Sequence, residues 1–169
     1  MKFSLFLIIL FSVINPFAEV ELIKIRDLYQ RAALNEAAHI KLNKLIETTE
    51  VNGALLVGYK GAGIMIGANY VFNPISKLSR FNKGKKLIEQ AIEKEPKNLE
   101  LRYLRLTLQT NLPKFLGYSN SINKDKGYII SQLEVTKDLD LRNRILAYLV
   151  SSKICTAEEL KIVTTWKNK

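Results

Sequence analysis

Apolar residues recur at intervals of three and four along most of the chain, the spacing of helices that bury one face. From Glu21 to about Thr48 they fall at Leu22, Ile25, Leu28, Tyr29, Ala32, Ala33, Ala37, Ile40 and Leu45, with good helix formers between, which predicts one long helix. Asn52-Gly53 is a stop-and-turn signal, and a second helix is expected from Ala54 to about Phe72. Asn73-Pro74 opens a third, with Asn as N-cap and Pro at the first helical position. That helix carries Leu78, Phe81, Ile88, Ala91 and Ile92 on one side and ends before Pro96.

Asn98 can cap a fourth helix running to about Gln109, and Asn111-Leu112-Pro113 with Gly117 marks a loop. Ser121 or a neighbour starts a helix through Ile122, Ile129 and Leu133, and Asp138 or Asp140 caps the next, with Leu141, Ile145, Leu146 and Leu149 inward. Thr156-Ala157-Glu158-Glu159 fits a capping box, in which hydroxyl and carboxylate satisfy each other's free backbone amides, and opens a last helix with Leu160, Val163 and Trp166. No alternating run reads as a strand. The expectation is an all-α fold of about seven helices in antiparallel hairpins.

Residues 1–18 stand apart. Lys2 precedes an apolar stretch, Phe3 to Ile14, that is short for crossing a bilayer and suits a signal peptide cleaved after Ala18. Pro16 at the minus-three position departs from the small-residue rule, which leaves an uncleaved anchor as the alternative. The rest, 19–169, is long enough for a single domain with one real core. The chain is thus expected to be exported, periplasmic or secreted, or tethered to the inner membrane by its N-terminal segment. A single cysteine, Cys155, excludes an internal disulfide.

The formal charge of +10 favours anionic partners, whether phospholipid head groups or acidic envelope polymers. The lysines are spread with acids interleaved, so solvated helix faces account for much of it, and export argues against nucleic acid.

Lys85 to Pro96, Lys-Lys-Leu-Ile-Glu-Gln-Ala-Ile-Glu-Lys-Glu-Pro, followed by Asn98, resembles the second helix and closing turn of a tetratricopeptide repeat. Gly84 and Ala91 fall on the repeat's small positions, and Ile88 stands where the family usually has an aromatic ring. The match covers this half-repeat, and no second copy keeps the period. The resemblance implies a tetratricopeptide-like array of hairpins. The wider stretch, with Gly58 to Ala62, Leu101 to Leu106 and Phe115 to Tyr118, also resembles a group of exported helical proteins of Gram-negative bacteria, which implies an export route and a fold type but no activity.

On the helix from Asn98, Arg102, Arg105 and Gln109 share one narrow face while leucines and Tyr103 cover the others. Two guanidiniums emerging from apolar surroundings could hold a carboxylate or phosphate, with Tyr118, Tyr59 and Lys60 nearby. Alternatively they pair with acids such as Glu89, Glu93 or Asp125 and lock hairpins together, which is the favoured reading because charges entering a core are normally paired. Gly58, Gly61, Gly63 and Gly67 sit in an apolar run that reads as a central helix packed closely by its neighbours. The same run admits a membrane span as its less favoured alternative. His39 is the sole histidine and lacks companions for a metal site, so a structural histidine is expected. Cys155 precedes a helix start whose dipole could lower its pKa, but a packed small hydrophobe is the favoured reading.

No catalytic constellation can be assembled, so neither an enzyme nor a cofactor is expected. The leading expectation is an exported binding module whose partner is a protein segment or an anionic envelope component, with membrane contact only through the N-terminal segment. The runner-up is a small anionic-ligand or lipid-binding protein using the arginine stripe.

Overall fold

The computed structural model describes residues 16–49 and 52–167, with side chains from residue 19 to 166. Eight α-helices follow one another among these residues, with two short 3-10 turns and no strand: α1 (Pro16–Ala32), α2 (Glu36–Thr48), α3 (Ala54–Ile66), α4 (Pro74–Lys94), α5 (Leu99–Asn111), α6 (Ile122–Gln132), α7 (Leu139–Ser151) and α8 (Ala157–Lys167). The all-α expectation holds, with one helix more than expected. The leader assigned to residues 1–18 falls mostly outside the described residues. Within them, Pro16 opens α1, so the Ala18–Glu19 junction lies in its first turn.

The extra helix comes from a break the apolar pattern hides. Ala33 and Leu34 form a turn, and Asn35 caps α2 by accepting the Ala38 N–H at 2.9 Å. The break resets the helical phase. Ala38, His39, Leu42 and Ile46 are therefore buried, whereas Ala33, Ala37 and Ile40, expected on the buried stripe, are exposed. Leu78, expected inward, is also 51% exposed: it flanks the buried Phe81–Gly84–Ile88 arc but lies near the free end of α4.

The capping chemistry fixes most other starts. Asn73 accepts from Ile75 N, Asn98 from Leu101 N and Asp138 from Leu141 N, while Thr156 and Glu159 close a reciprocal box at 2.8 and 3.2 Å.

Two cores meet at α5. Leu101, Leu104 and Leu108 join Ile25, Leu42, Tyr59, Ile88 and Ala91 in the first, and Tyr103 and Leu106 join Ile129, Leu133, Ile145, Leu149 and Val163 in the second. With cores on both sides, α5 is buried nearly all round, its polar residues Glu100, Arg105 and Gln109 included. Against α3 lies α4, and they cross where two glycines meet. A Cβ on Gly84 would sit 2.4 Å from the Gly61 carbonyl oxygen, and one on Gly61 would sit 2.7 Å from that of Gly84. The small residues of α3 thus serve close helix packing. No helix among the described residues is long and apolar enough to cross a membrane.

Candidate functional site

The arginine stripe is satisfied from within. Asp125 of α6, fully buried, accepts Nε–H and Nη2–H of Arg105 at 2.7 and 2.8 Å, and Nη1–H of Arg102 at 2.8 Å. Arg105 also donates to Glu89 of α4 at 2.6 Å, and Tyr118 donates to the other Glu89 oxygen at 2.5 Å. Arg102 spends Nε–H on the Pro96 carbonyl and lies over the Tyr128 ring at 4.5 Å. Burial opposes charge on Arg105, but the hydrogen bonds and charges of Asp125 and Glu89 together outweigh it and raise the guanidinium's pKa. The guanidiniums thus take the paired arrangement and tie α4, α5 and α6 together.

The other expected site residues do not converge on this stripe. Tyr59 belongs to the first core and donates to Glu100 at 2.5 Å, while Lys60 points to solvent from α3. Gln109 and Tyr118 do come together, lining an open pocket of about 390 Å³ with Leu112, Pro113 and Ile122. Gln109 is buried, and its Oε1 has no hydrogen-bond partner.

A second charged cluster escaped the sequence reading. Arg26 of α1, 3% exposed, donates to Glu100 at 2.7 and 2.6 Å, to Asp138 at 2.7 and 3.3 Å and to Asp140 at 2.9 Å. Those five contacts occupy all five guanidinium donors. Arg144 extends the cluster to Asp140, Gln30 and Asp27. Burial pushes the Tyr59 phenol up, and the neighbouring Glu100 carboxylate adds to it. The cluster closes α1 against α5 and α7 across both cores. A signal for it existed: Leu22, Arg26 and Tyr29 are spaced four and three apart, so Arg26 lies on the apolar stripe, and Glu100 interrupts Leu99 and Leu101.

Above this cluster α1, α5 and α7 leave an open groove of about 590 Å³. Its walls carry Tyr29, Tyr103 and Tyr148, with Ala147 exposed on α7 and Leu34, 96% exposed, at the α1–α2 turn. The Tyr103 and Tyr148 rings meet edge to face at 5.8 Å. Tyr29 donates to Thr107 at 2.6 Å, and Tyr148 pairs with Thr110. Burial pushes all three phenols up, so they stay neutral. The one cation on the walls, Arg144, is committed to Asp140, Asp27 and Gln30. The groove therefore has a floor of the buried Tyr29 and Tyr103, a half-buried Tyr148 on its wall, and no uncommitted charge.

His39 is buried and donates Nε2–H to the Gly63 carbonyl at 2.9 Å beside the Tyr70 ring, which makes it a helix-packing residue. Cys155 packs against the second core, where burial and then the Glu159 carboxylate push its thiol up, opposite to the helix-dipole expectation. No group of three or more His, Cys, Asp or Glu among the described residues could hold a metal ion. No family model, curated protein or solved structure matches the chain.

Proposed function

We propose that the chain is a binding module that takes a segment of another protein into the groove between α1, α5 and α7. The observation that carries this reading is the open tyrosine-walled cleft with Leu34 almost wholly in water at its rim. Tyr148, half-buried on the wall above Tyr29 and Tyr103, presents stiff aromatic contact at little entropic cost, and an apolar rim residue adds an anchor beyond the cleft. Because Arg144 is neutralised by Asp140 and Asp27, the groove suits an uncharged amphipathic stretch better than a carboxylate or phosphate. Packed helical hairpins present concave surfaces of this kind, in keeping with the tetratricopeptide-like half-repeat at Gly84–Asn98.

Selection of a random peptide library on the full chain tests this reading. Peptides carrying aliphatic or aromatic anchors should be recovered. Ala147→Trp, which fills the groove from an exposed position, should weaken them by about tenfold or more without changing the melting temperature. Recovery of no such peptide, or binding indifferent to Ala147→Trp, would overturn it.

A further inference from the structure

Between Glu50 and Glu89 the chain has no acidic residue, yet it carries Lys60, Lys77, Arg80, Lys83, Lys85 and Lys86. Half of the formal surplus of +10 therefore belongs to the α3–α4 hairpin, whose seven basic residues outnumber Glu89 and Glu93 by five. The basic residues are not randomly exposed. On α4 the buried arc runs through Phe81, Gly84, Ile88 and Ala91, and Lys83 and Lys86 project from the opposite side together with Ile75. At the hairpin's closed end, Phe72 is wholly exposed and Ile75 is 79% exposed, with Leu78 one turn further along. A phenyl ring held entirely in water beside two aliphatic side chains has no structural use in the fold.

We infer that this end of the α3–α4 hairpin docks on a bilayer surface containing anionic phospholipid. Phe72, Ile75 and Leu78 would enter the interface below head-group level, and Lys83 and Lys86, on the face of Ile75, would lie against the phosphates. Cations alone would suit any polyanion, and apolar side chains alone would suit many proteins. The two together on one face of α4, in a stretch with no acid between Glu50 and Glu89, fit an anionic membrane. This contact is separate from the N-terminal apolar segment. It is tied to the far end of α1, since Asn69 donates to the Ala33 carbonyl at 3.2 Å and Tyr70 to that of Ala32. It is independent of what occupies the groove.

The test must report on the tip, because residues 3–14 could bring the full chain to vesicles unaided. Phe72→Trp in a Trp166→Phe background places the sole indole at the hairpin end. Vesicles of phosphatidylcholine, with and without phosphatidylglycerol, are prepared with brominated acyl chains. With phosphatidylglycerol the indole emission should shift to the blue and be quenched. The effect should fade with added salt and weaken by about tenfold or more in Lys83→Glu/Lys86→Glu. Unchanged emission while the chain co-sediments with vesicles would overturn the inference. So would indole quenching left undiminished when Ile75→Ser/Leu78→Ser is added to Phe72→Trp, which would mark a charge-only surface for other polyanions.

Discussion

Arg26 and Glu100, 74 residues apart, meet through two parallel hydrogen bonds of 2.7 and 2.6 Å in a site closed to water. Taking two charges out of water is costly, and their attraction repays it only while both are present. Arg26→Met therefore strands a buried carboxylate and should cost about 3–5 kcal/mol in urea unfolding. Arg26→Met/Glu100→Leu should recover much of that loss, because no buried charge is left unpaired: Asp140 keeps Arg144, and Asp138 is partly exposed to water. Strictly additive losses would contradict the pairing.

Backbone contact between Gly61 and Gly84 sets how closely α3 approaches α4. Gly84→Ala drives a methyl against the Gly61 carbonyl and should destabilise by about 1–3 kcal/mol or more. Gly127, on α6, is the control. Nothing lies within 4 Å of a Cβ there, so Gly127→Ala should stabilise by about 0.5–1 kcal/mol through helix propensity. Thermal unfolding of the two variants should move in opposite directions.

Asp125 distinguishes the two arginines of the stripe. Arg105 gives it two hydrogen bonds and Arg102 one, and Arg102 keeps a carbonyl and a ring as further contacts. Arg105→Met should lower stability by about 3–5 kcal/mol, and Arg102→Gln by clearly less. Chemical denaturation ranks them, and equal losses would contradict the geometry.

Acid should loosen the clamp between α1 and α7. Burial alone would raise the Asp138 and Asp140 carboxyls, but Arg26 at Asp138, and Arg144 with Arg26 at Asp140, hold both below the usual carboxylate range. Both groups bind protons more weakly folded than unfolded. Their stabilisation is full above the unfolded pKa of about 4 and is lost as pH falls through the lower folded value. Urea midpoints should stay level from neutral pH down to about pH 5 and fall below about pH 4. Asp138→Asn keeps the helix cap and should flatten that fall.

Much of the fold was legible because local chemistry decides it. Asn73, Asn98, Asp138 and the Thr156–Glu159 box each start a helix by satisfying backbone amides, a rule that acts over three residues. The α1–α2 break was hidden because Ala33 and Leu34 are good helix formers, and only Asn35 betrays the turn. The arginine stripe was found as a face, and its paired reading matches the observed contacts, since an apolar helix flanking two arginines demands counter-charges. The groove was out of reach. It depends on Tyr29, Tyr103 and Tyr148 converging from three helices, and no short-range pattern encodes that distance.

The most direct measurement is an amide chemical-shift map of the full chain titrated with a library-selected peptide. Binding in the groove predicts perturbations concentrated at Leu34, Tyr103, Asn111, Ala147 and Tyr148, and their disappearance in Ala147→Trp. Perturbations confined to the Gln109–Tyr118 pocket or to the Phe72–Lys86 end, with the groove unmoved, would contradict it.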